Sequence, residues 1–314
     1  MLNISIVGCG LVGASWSLVF ARAGHSVKLY DPSPAAIETA LRFVKASAET
    51  LATQDLLNGQ TVEAVLGRLK PMPTLAEAVD DADYIQESAP ERLVIKQTLY
   101  KQMSPMTKPD AIFGSSTSGL PPSGFTADLS GRERCIVAHP INPPHLIPLV
   151  ELVPTSWTTP DVIDRTEALM KQVGQLPIRL NREISGFVVN RLQSAVLGEA
   201  FRLVEDGICS AADVDAAISE GLGLRWCFMG PFETIDLNAQ GGIADYCEKL
   251  GHMYFDLAKE QADPRPWNKE LIAAVEVQRR QKTPQDQLDA RKTWRDRCLA
   301  GLLKARQIIL SAER

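Results

Sequence analysis

Short apolar segments alternate with helical ones through the first half of the chain. Residues 3–7 and 27–31 are typical of buried strands, and a largely apolar helical stretch at 11–23 lies between them. Strand, helix and strand in this order predict a βαβ unit with a right-handed crossover. Helical segments separate several further strand-like runs, which lie at residues 83–86, 111–114, 134–138 and 147–153. The pattern predicts a doubly wound α/β sheet.

The pattern changes near residue 183, after which helices and turns replace the strands. Residues 186–205 repeat apolar side chains at helical spacing, and Gly207 is a typical residue to end that helix. Residues 284–309 are predicted to form a last, charged amphipathic helix. We therefore predict an α/β domain at residues 1–183 and an all-α C-terminal domain at residues 184–314.

Composition and charge exclude several classes of protein. Hydrophobic residues make up 45% of the 314 positions and charged residues 23%, which is the balance of a globular protein long enough for two domains. The net charge of −5, without a basic block, argues against a nucleic-acid partner. An apolar run of about 18 residues, which a membrane span needs, does not occur. No Lys or Arg precedes the first apolar run, which ends at Gly8, so we expect no secretory signal.

The cysteine pattern indicates neither a zinc site nor a disulfide framework. No CxxC pair occurs among the six cysteines, which lie at positions 9, 135, 209, 227, 247 and 298. Unpaired, reduced thiols are the usual state in the cytosol. We therefore expect a cytoplasmic protein without a metal centre.

The sequence Gly8-Cys9-Gly10-Leu11-Val12-Gly13 lies between the first strand and the first helix. Gly8 permits a tight turn, Gly10 leaves room for a pyrophosphate, and Gly13 allows the helix to pack closely on the strand. The free N–H groups at the helix N-terminus favour the phosphates. In this strand–helix context the GxGxxG motif predicts a Rossmann-type dinucleotide site. We expect the cofactor to contact Gly8, Gly10, Leu11, Val12 and Gly13.

Asp31 ends the second strand, eighteen residues after Gly13. A carboxylate at this point can accept hydrogen bonds from both ribose hydroxyls and would repel a 2′-phosphate. Residues 32–34 are Pro-Ser-Pro and supply no positive charge for such a phosphate. These features predict NAD rather than NADP, with FAD, which uses the same fingerprint, as the alternative.

His139 is the strongest candidate for proton transfer among the four histidines. It directly follows the strand at 134–138, and ligands of α/β sheets bind beyond the carboxyl ends of the strands. Glu151 interrupts a later apolar strand, and a proline-rich segment between the two residues can return the chain so that they meet. An ordinary edge-strand acid that faces solvent is the alternative for Glu151. His25 is expected in a surface turn.

Two polar features accompany these residues. A Ser-rich segment that includes Ser116 and Ser118 follows another strand, and its hydroxyls can bind substrate or the nicotinamide carboxamide. Asn190 lies among apolar residues of the helix at 186–205 and must find a hydrogen-bond partner. Taken alone, the serines are equally typical of a loop or helix cap, and Asn190 of a structural amide.

Together these segments resemble the L-3-hydroxyacyl-CoA dehydrogenase superfamily. The resemblance rests on the GxGxxG start followed by SSTSGL at 115–120, HPINPP at 139–144, PLVELVP at 148–154 and GFVVNR at 186–191. It implies that His139, Glu151, Ser118 and Asn190 surround the substrate, with His139 as the general base. It also implies that Glu91 and Lys96 contact the cofactor, and Ser116 of the Ser-rich segment is a further candidate for this contact. A solvated ion pair on a helix face is the alternative for Glu91 and Lys96, and Ser116 departs from the Asn common in acyl-CoA enzymes.

Further segments resemble the lambda-crystallin branch, whose activity is L-gulonate 3-dehydrogenase. The segments that carry this resemblance are HPINPPHLIPLVELVP, EGLGLRWCFMGPFETIDLN and ARKTWRDRCL. It implies oxidation of the 3-hydroxyl of a small hydroxy acid, with Arg225 as a candidate for the carboxylate, and a homodimer formed through the helical domain. A structural arginine paired with an acid at the domain boundary is the alternative for Arg225.

Other functions stay open at this point. A 3-hydroxyacyl-CoA, carnitine or a diketo ester are alternative substrates, and a CoA entrance would draw on a basic surface formed by Arg42, Lys45, Arg68 and Lys70. That surface is equally typical of a solvated helix face. A crystallin-like structural protein that binds NAD with little turnover is a further alternative, against which the retention of His139 and Glu151 argues.

Overall fold

The computed structural model describes residues 1–312, which form one eight-stranded sheet and fourteen α-helices. The strands are β1 (Asn3–Val7), β2 (Ser26–Tyr30), β3 (Leu69–Pro71), β4 (Tyr84–Glu87), β5 (Ile112–Ser115), β6 (Cys135–Pro140), β7 (Leu149–Val153) and β8 (Leu176–Arg179). The helices are α1 (Leu11–Arg22), α2 (Pro34–Ala52), α3 (Val62–Leu66), α4 (Leu75–Val79), α5 (Leu93–Met103), α6 (Ser123–Thr126), α7 (Pro160–Gln172), α8 (Val189–Glu205), α9 (Ala211–Ala216), α10 (Gly223–Trp226), α11 (Pro231–Asp236), α12 (Gly242–Glu260), α13 (Lys269–Lys282) and α14 (Leu288–Ala312).

The strand order is β3-β2-β1-β4-β5-β6-β7-β8. Strands β1 to β6 are parallel, β7 runs antiparallel to β6, and β8 is parallel to β7. The first six strands therefore have the order of a dinucleotide-binding Rossmann sheet, and the expected α/β architecture with a helical C-terminal region is confirmed. All carboxyl ends of β1 to β6 lie at one edge, where ligands bind in such sheets.

The two strands that the apolar pattern did not predict are the edge strands. Strand β3 has three residues and ends in Pro71, and β8 contains Pro177 and is partly exposed along its length. An edge strand needs apolar side chains on fewer positions than a central strand, and proline is tolerated there. Neither segment therefore shows the apolar run by which the central strands were recognised.

Two apolar clusters cover the two faces of the sheet. Neighbouring residues of one strand belong to different clusters, as Tyr84 and Ile85 do in β4, because side chains alternate along a strand. The first cluster is built on α1, where Trp16 stacks on Phe20 with ring centroids 5.4 Å apart. Nearly all of α1 is buried, which fixes the glycine turn before it against the end of β1.

The chain divides into two compact units that differ from the predicted domains. The first unit contains residues 1–190 and the chain from Arg295 onward, and the second contains residues 191–294. The last part of α14 belongs to the first unit because Ala300 is buried in its first apolar cluster. The prediction had placed this helix with the all-α domain, since its charged pattern gave no sign of that packing. No described helix is both long and apolar enough to cross a membrane.

Candidate active site

The glycine turn after β1 has the geometry that its sequence predicts. Gly8 has a φ of +99°, and a Cβ on it would lie 2.6 Å from the backbone carbon and oxygen of Ser88. A Cβ on Gly13 would lie 1.9 Å from the carbonyl oxygen of Gly8. A Cβ on Gly10 would meet no atom within 4 Å, so open space remains beside the N-terminus of α1. The turn therefore leaves room for a pyrophosphate where the helix offers free N–H groups.

Asp31 lies beside this turn, at the end of β2. One of its carboxylate oxygens accepts a hydrogen bond from the N–H of Cys9 at 2.9 Å, and the other accepts one from Ser33 at 2.9 Å. A cleft of about 690 Å³ opens beside it and is lined by Gly8, Gly10, Asp31 and one side of α5. Its size and mostly apolar wall suit an adenosine, with the acid held where a ribose would lie.

His139 and Glu151 form a buried pair across β6 and β7. The antiparallel register places the two residues directly opposite each other. The His139 Nδ1 atom and the Glu151 Oε2 atom are 2.6 Å apart, and the two residues are 5% and 0% exposed. The ring of His139 also packs against Phe187, with centroids 5.4 Å apart. The solvent-facing edge-strand alternative for Glu151 is therefore wrong.

The second carboxylate oxygen of Glu151 accepts hydrogen bonds from the backbone at the start of α8. Its Oε1 atom accepts hydrogen bonds from the backbone N–H groups of Val188 at 2.7 Å and Val189 at 3.0 Å. Burial raises the pKa of Glu151, but the hydrogen bonds from His139, Val189 and Val188 outweigh it and hold the pKa below its usual value. Glu151 is therefore ionised at neutral pH. It orients the imidazole through Nδ1, and Nε2 of His139 has no hydrogen-bond partner among residues 1–312.

Glu91 gathers the Ser-rich segment after β5. Its Oε1 atom accepts hydrogen bonds from the Thr117 hydroxyl at 2.5 Å, the Ser118 N–H at 2.9 Å and the Gly119 N–H at 3.1 Å. Burial raises the pKa of Glu91, but these bonds and the nearby Lys96 lower it overall. Asn190 approaches the same segment, since its Nδ2 atom donates to the backbone oxygen of Ser118 at 2.6 Å. Ser118, Glu91 and Asn190 are thus brought together in the structure.

Lys96 lies in a buried ionic cluster with Glu87, which the sequence did not predict. Its Nζ atom lies 2.8 and 2.9 Å from the two carboxylate oxygens of Glu87 and 3.5 Å from Glu91. Lys96 is 1% exposed and Glu87 is fully buried, so the alternative of a solvated helix-face pair is wrong for Lys96. Glu87 also accepts a hydrogen bond from the Ser115 hydroxyl at 2.6 Å. The signal for Glu87 was a charged residue at the end of the buried strand β4, and it was missed.

Ser116 lies at the carboxyl ends of β4 and β5, next to this cluster. Its hydroxyl oxygen accepts a hydrogen bond from the Gln86 side chain at 2.7 Å and lies 2.9 Å from the Ser88 hydroxyl. These contacts place it at the sheet edge that also carries Gly8 and the cleft beside Asp31. Gln86 and Ser88, which hold it, did not stand out in the sequence.

His25, Arg225 and the predicted lack of a metal centre complete the comparison with the sequence. His25 does not lie in an exposed turn: it is buried against Phe20, and its Nδ1 atom accepts the N–H of Leu2 at 3.1 Å. Arg225 is exposed on α10 in the second unit, and it forms no ion pair within the described residues. Groups of three or more His, Cys, Asp or Glu side chains suited to a metal ion are absent from residues 1–312.

Both units match one family of dehydrogenases. Residues 3–184 match the family described as 3-hydroxyacyl-CoA dehydrogenase, NAD binding domain, and residues 186–285 match its C-terminal domain. The lambda-crystallin homolog of Homo sapiens is 42% identical over 304 residues, which cover 96% of this chain and 95% of that protein. L-carnitine dehydrogenase of Pseudomonas putida is 42% identical over 251 residues, or 79% of this chain and 77% of that one.

Solved structures agree with this assignment. The 5-formyl-3-hydroxy-2-methylpyridine 4-carboxylic acid 5-dehydrogenase, described as an NAD⁺-dependent dismutase, superposes with a TM-score of 0.83 at 28% identity. The match covers 98% of this chain and 99% of that one. The glycine turn and Asp31 fit the cofactor that these comparisons share. The chain therefore belongs to the 3-hydroxyacyl-CoA dehydrogenase family and is an NAD-dependent dehydrogenase.

Proposed function

We propose that this dehydrogenase oxidises the 3-hydroxyl of a small, free hydroxy acid, with L-gulonate as the best candidate. The observation that carries the catalytic part is the buried His139–Glu151 pair, in which Glu151 is clamped by two N–H groups of the α8 start. The full-length similarity to lambda-crystallin homologs supports the substrate class.

The protein's residues divide the reaction as follows. His139 Nε2 accepts the hydroxyl proton of the substrate while Glu151, bonded to Nδ1, stabilises the positive charge that develops on the ring. Ser118 and Asn190 hold the reacting oxygen in place, and positioning of this kind lowers the barrier to proton transfer. When bound, NAD supplies the acceptor for the hydride that leaves the same carbon. Glu91, Lys96 and Ser116 would hold the nicotinamide end of the bound cofactor.

Arg225 is proposed to bind the substrate's carboxylate. A guanidinium forms a bidentate pair with a carboxylate, and Arg225 is exposed without an acidic partner among the described residues. An Arg225→Met enzyme should show a higher KM for a free acid and nearly unchanged kinetics for a neutral ester of that acid. An unchanged KM for the acid would exclude this role.

A panel of substrates separates the proposed function from its alternatives. NADH formation would be followed with purified protein, NAD and, in turn, L-gulonate, L-3-hydroxybutyrate, L-carnitine and 3-hydroxybutyryl-CoA. We expect strong turnover of L-gulonate and weak turnover of the CoA ester. Preference for the CoA ester would assign the enzyme to acyl-CoA chemistry. Preference for carnitine would give it the activity of its L-carnitine dehydrogenase relatives. Negligible turnover of every substrate would favour a structural, crystallin-like protein.

We also propose that the protein is a cytoplasmic homodimer joined through its helical unit. Residues 191–294, all of which the structure describes, bury only Ala211, Thr234, Leu271 and Thr283. Large apolar side chains stay exposed there, among them Phe232, Phe255 and Trp267. Such a surface is typical of a protein interface. Sedimentation velocity should give twice the chain mass of 34.3 kDa, and a monomer at micromolar concentration would contradict the proposal.

The state of the cysteines supports the proposed cytoplasmic location. All six cysteines are free, as expected for a cytoplasmic protein.

A further inference from the structure

The first unit contains a second cavity, of about 230 Å³, that shares no lining residue with the cofactor cleft. Its wall is formed by the end of α1, the segment after α2, the loop between β6 and β7, and the last turns of α14. Neither His139 nor Glu151 lines it.

Two arginines line this cavity without an acidic partner. The Nη1 atom of Arg22 donates to the backbone oxygen of His145 at 2.9 Å, and no carboxylate of residues 1–312 lies within 4.0 Å of the Arg22 guanidinium. Burial lowers the pKa of Arg22 to about 10, which reflects the cost of a charge removed from water. The Nε atom of Arg306 is buried and has no hydrogen-bond partner among the described residues. A guanidinium has five N–H donors, so Arg22 keeps donors besides Nη1 for a ligand, and Arg306 has its buried Nε.

The other titratable groups of the wall do not cancel this charge. Asp55 is the one carboxylate among the lining residues, and Lys304 lies 3.5 Å from it. Burial, with the nearby Arg22 and Arg295, lowers the pKa of His145 to about 3, so its ring is neutral at pH 7. The wall therefore has an excess of positive charge. It contains Arg22 and Arg306 but one carboxylate, Asp55, which already lies beside Lys304.

We propose that this cavity is a binding site for a small oxyanion, a carboxylate or a phosphate, held by Arg22 and Arg306. The planar fork of a guanidinium matches the oxygen geometry of both groups and forms paired, charge-assisted hydrogen bonds with them. The volume suits a small metabolite anion, because drug- or cofactor-sized ligands need about 300–1,000 Å³.

The cavity is lined by the loop that joins His139 to Glu151. Pro144, His145, Leu146 and Pro148 of the wall belong to the segment that connects β6, which carries His139, to β7, which carries Glu151. Arg22 already holds the carbonyl oxygen of His145. An anion bound to Arg22 would therefore contact the residue that already holds the β6–β7 loop, the segment that joins His139 to Glu151.

Calorimetric titration of the full-length protein tests the proposal. The protein would be saturated with NAD, since the glycine turn is itself suited to an anion, and titrated with inorganic phosphate and separately with succinate at constant ionic strength. We expect one of them to bind once per chain, and which one does so identifies the class of oxyanion. Arg306→Gln should weaken that binding by about tenfold or more, the usual effect of losing a charge-assisted bond.

Arg297→Gln is the matched control, because Arg297 lies on the same helix, is exposed and does not line the cavity. It should bind the anion as the original protein does. The rise of the thermal unfolding midpoint with anion concentration provides a second measurement on the same three proteins. The proposal is overturned if neither anion binds the original protein, if Arg306→Gln binds it equally well, or if both variants weaken it to the same extent.

Discussion

The two units of this chain are stabilised in different ways. The first has a sheet covered on both faces by apolar clusters, and every residue of the His139–Glu151 pair and of the Glu87–Lys96 cluster is fixed within it. The second is helical, and among residues 191–294 it buries four side chains while leaving many large apolar ones exposed. The first unit therefore holds its charged side chains in fixed positions within an apolar core, whereas the second leaves much of its apolar surface exposed.

The largest effect should come from removing the proposed base. His139→Gln is expected to lower kcat by roughly 10²–10⁴-fold, the usual contribution of a positioned general base. NAD binding should be retained, because Gly8, Gly13 and Asp31 do not depend on His139. Stopped-flow kinetics and titration of the protein's intrinsic fluorescence with NAD would measure both. Near-normal turnover with intact NAD binding would show that His139 is not the base.

The next largest effect concerns the buried ionic cluster of the first unit. Lys96→Met removes the cation beside Glu87 and leaves a buried carboxylate without a charged partner, which typically costs about 3–5 kcal/mol of unfolding free energy. Urea unfolding would measure it. Lys101→Met is a suitable control because Lys101 is exposed on the same helix, and its effect should stay within about 0.5 kcal/mol. Equal stability of the two variants would mean that the ion pair between Lys96 and Glu87 does not stabilise the fold.

A matched pair of substitutions compares the two units directly. Leu18→Ala, at a fully buried side chain of α1 in the first unit, should cost about 2–5 kcal/mol because it leaves a cavity. Phe232→Ala, at a side chain that is 74% exposed in the second unit, should change the unfolding free energy of the isolated chain by no more than about 0.5 kcal/mol. If the homodimer forms through that surface, Phe232→Ala weakens association on dilution instead. If the protein is a monomer and the two substitutions lower its unfolding free energy equally, the two units do not differ in burial as described.

The smallest effect should be the dependence of stability on acid. The pKa of Glu151 is lowered in the folded protein from an ordinary value of 4.5. Its contribution to stability is therefore fully present above about pH 4.5 and is lost as pH falls through the lower, folded-state pKa. Unfolding free energy measured from pH 6 downward should decline less steeply for Glu151→Gln than for the original protein. Parallel curves would show that Glu151 is not stabilised as its contacts indicate.

The sequence predicted most of the sheet and the cofactor turn because each rests on local physics. A buried strand, a glycine that needs positive φ and an acid at a strand end are all legible without knowledge of distant residues. Glu87 and Gln86 were missed since their partners are many residues away, and only the sheet register brings Ser115 and Ser116 beside them. The edge strands and the packing of Ala300 depend on tertiary contacts in the same way. For the roles of His139, Glu151, Ser118 and Asn190 the sequence prediction stays a prediction.

The division of the chain has a consequence for how the protein can be cut and joined. Residues 191–294 are inserted between two parts of the first unit, so the chain enters and leaves the second unit through α8 and α14. A fragment that stops at residue 190 would lack Ala300 and the partly buried Leu299 and Leu303 that pack on the first cluster. The dinucleotide half is thus not a separable N-terminal piece, and a complete first unit requires both ends of the chain. A circular permutant that joins the two termini and opens within residues 191–294 would preserve it, whereas a simple C-terminal truncation would not.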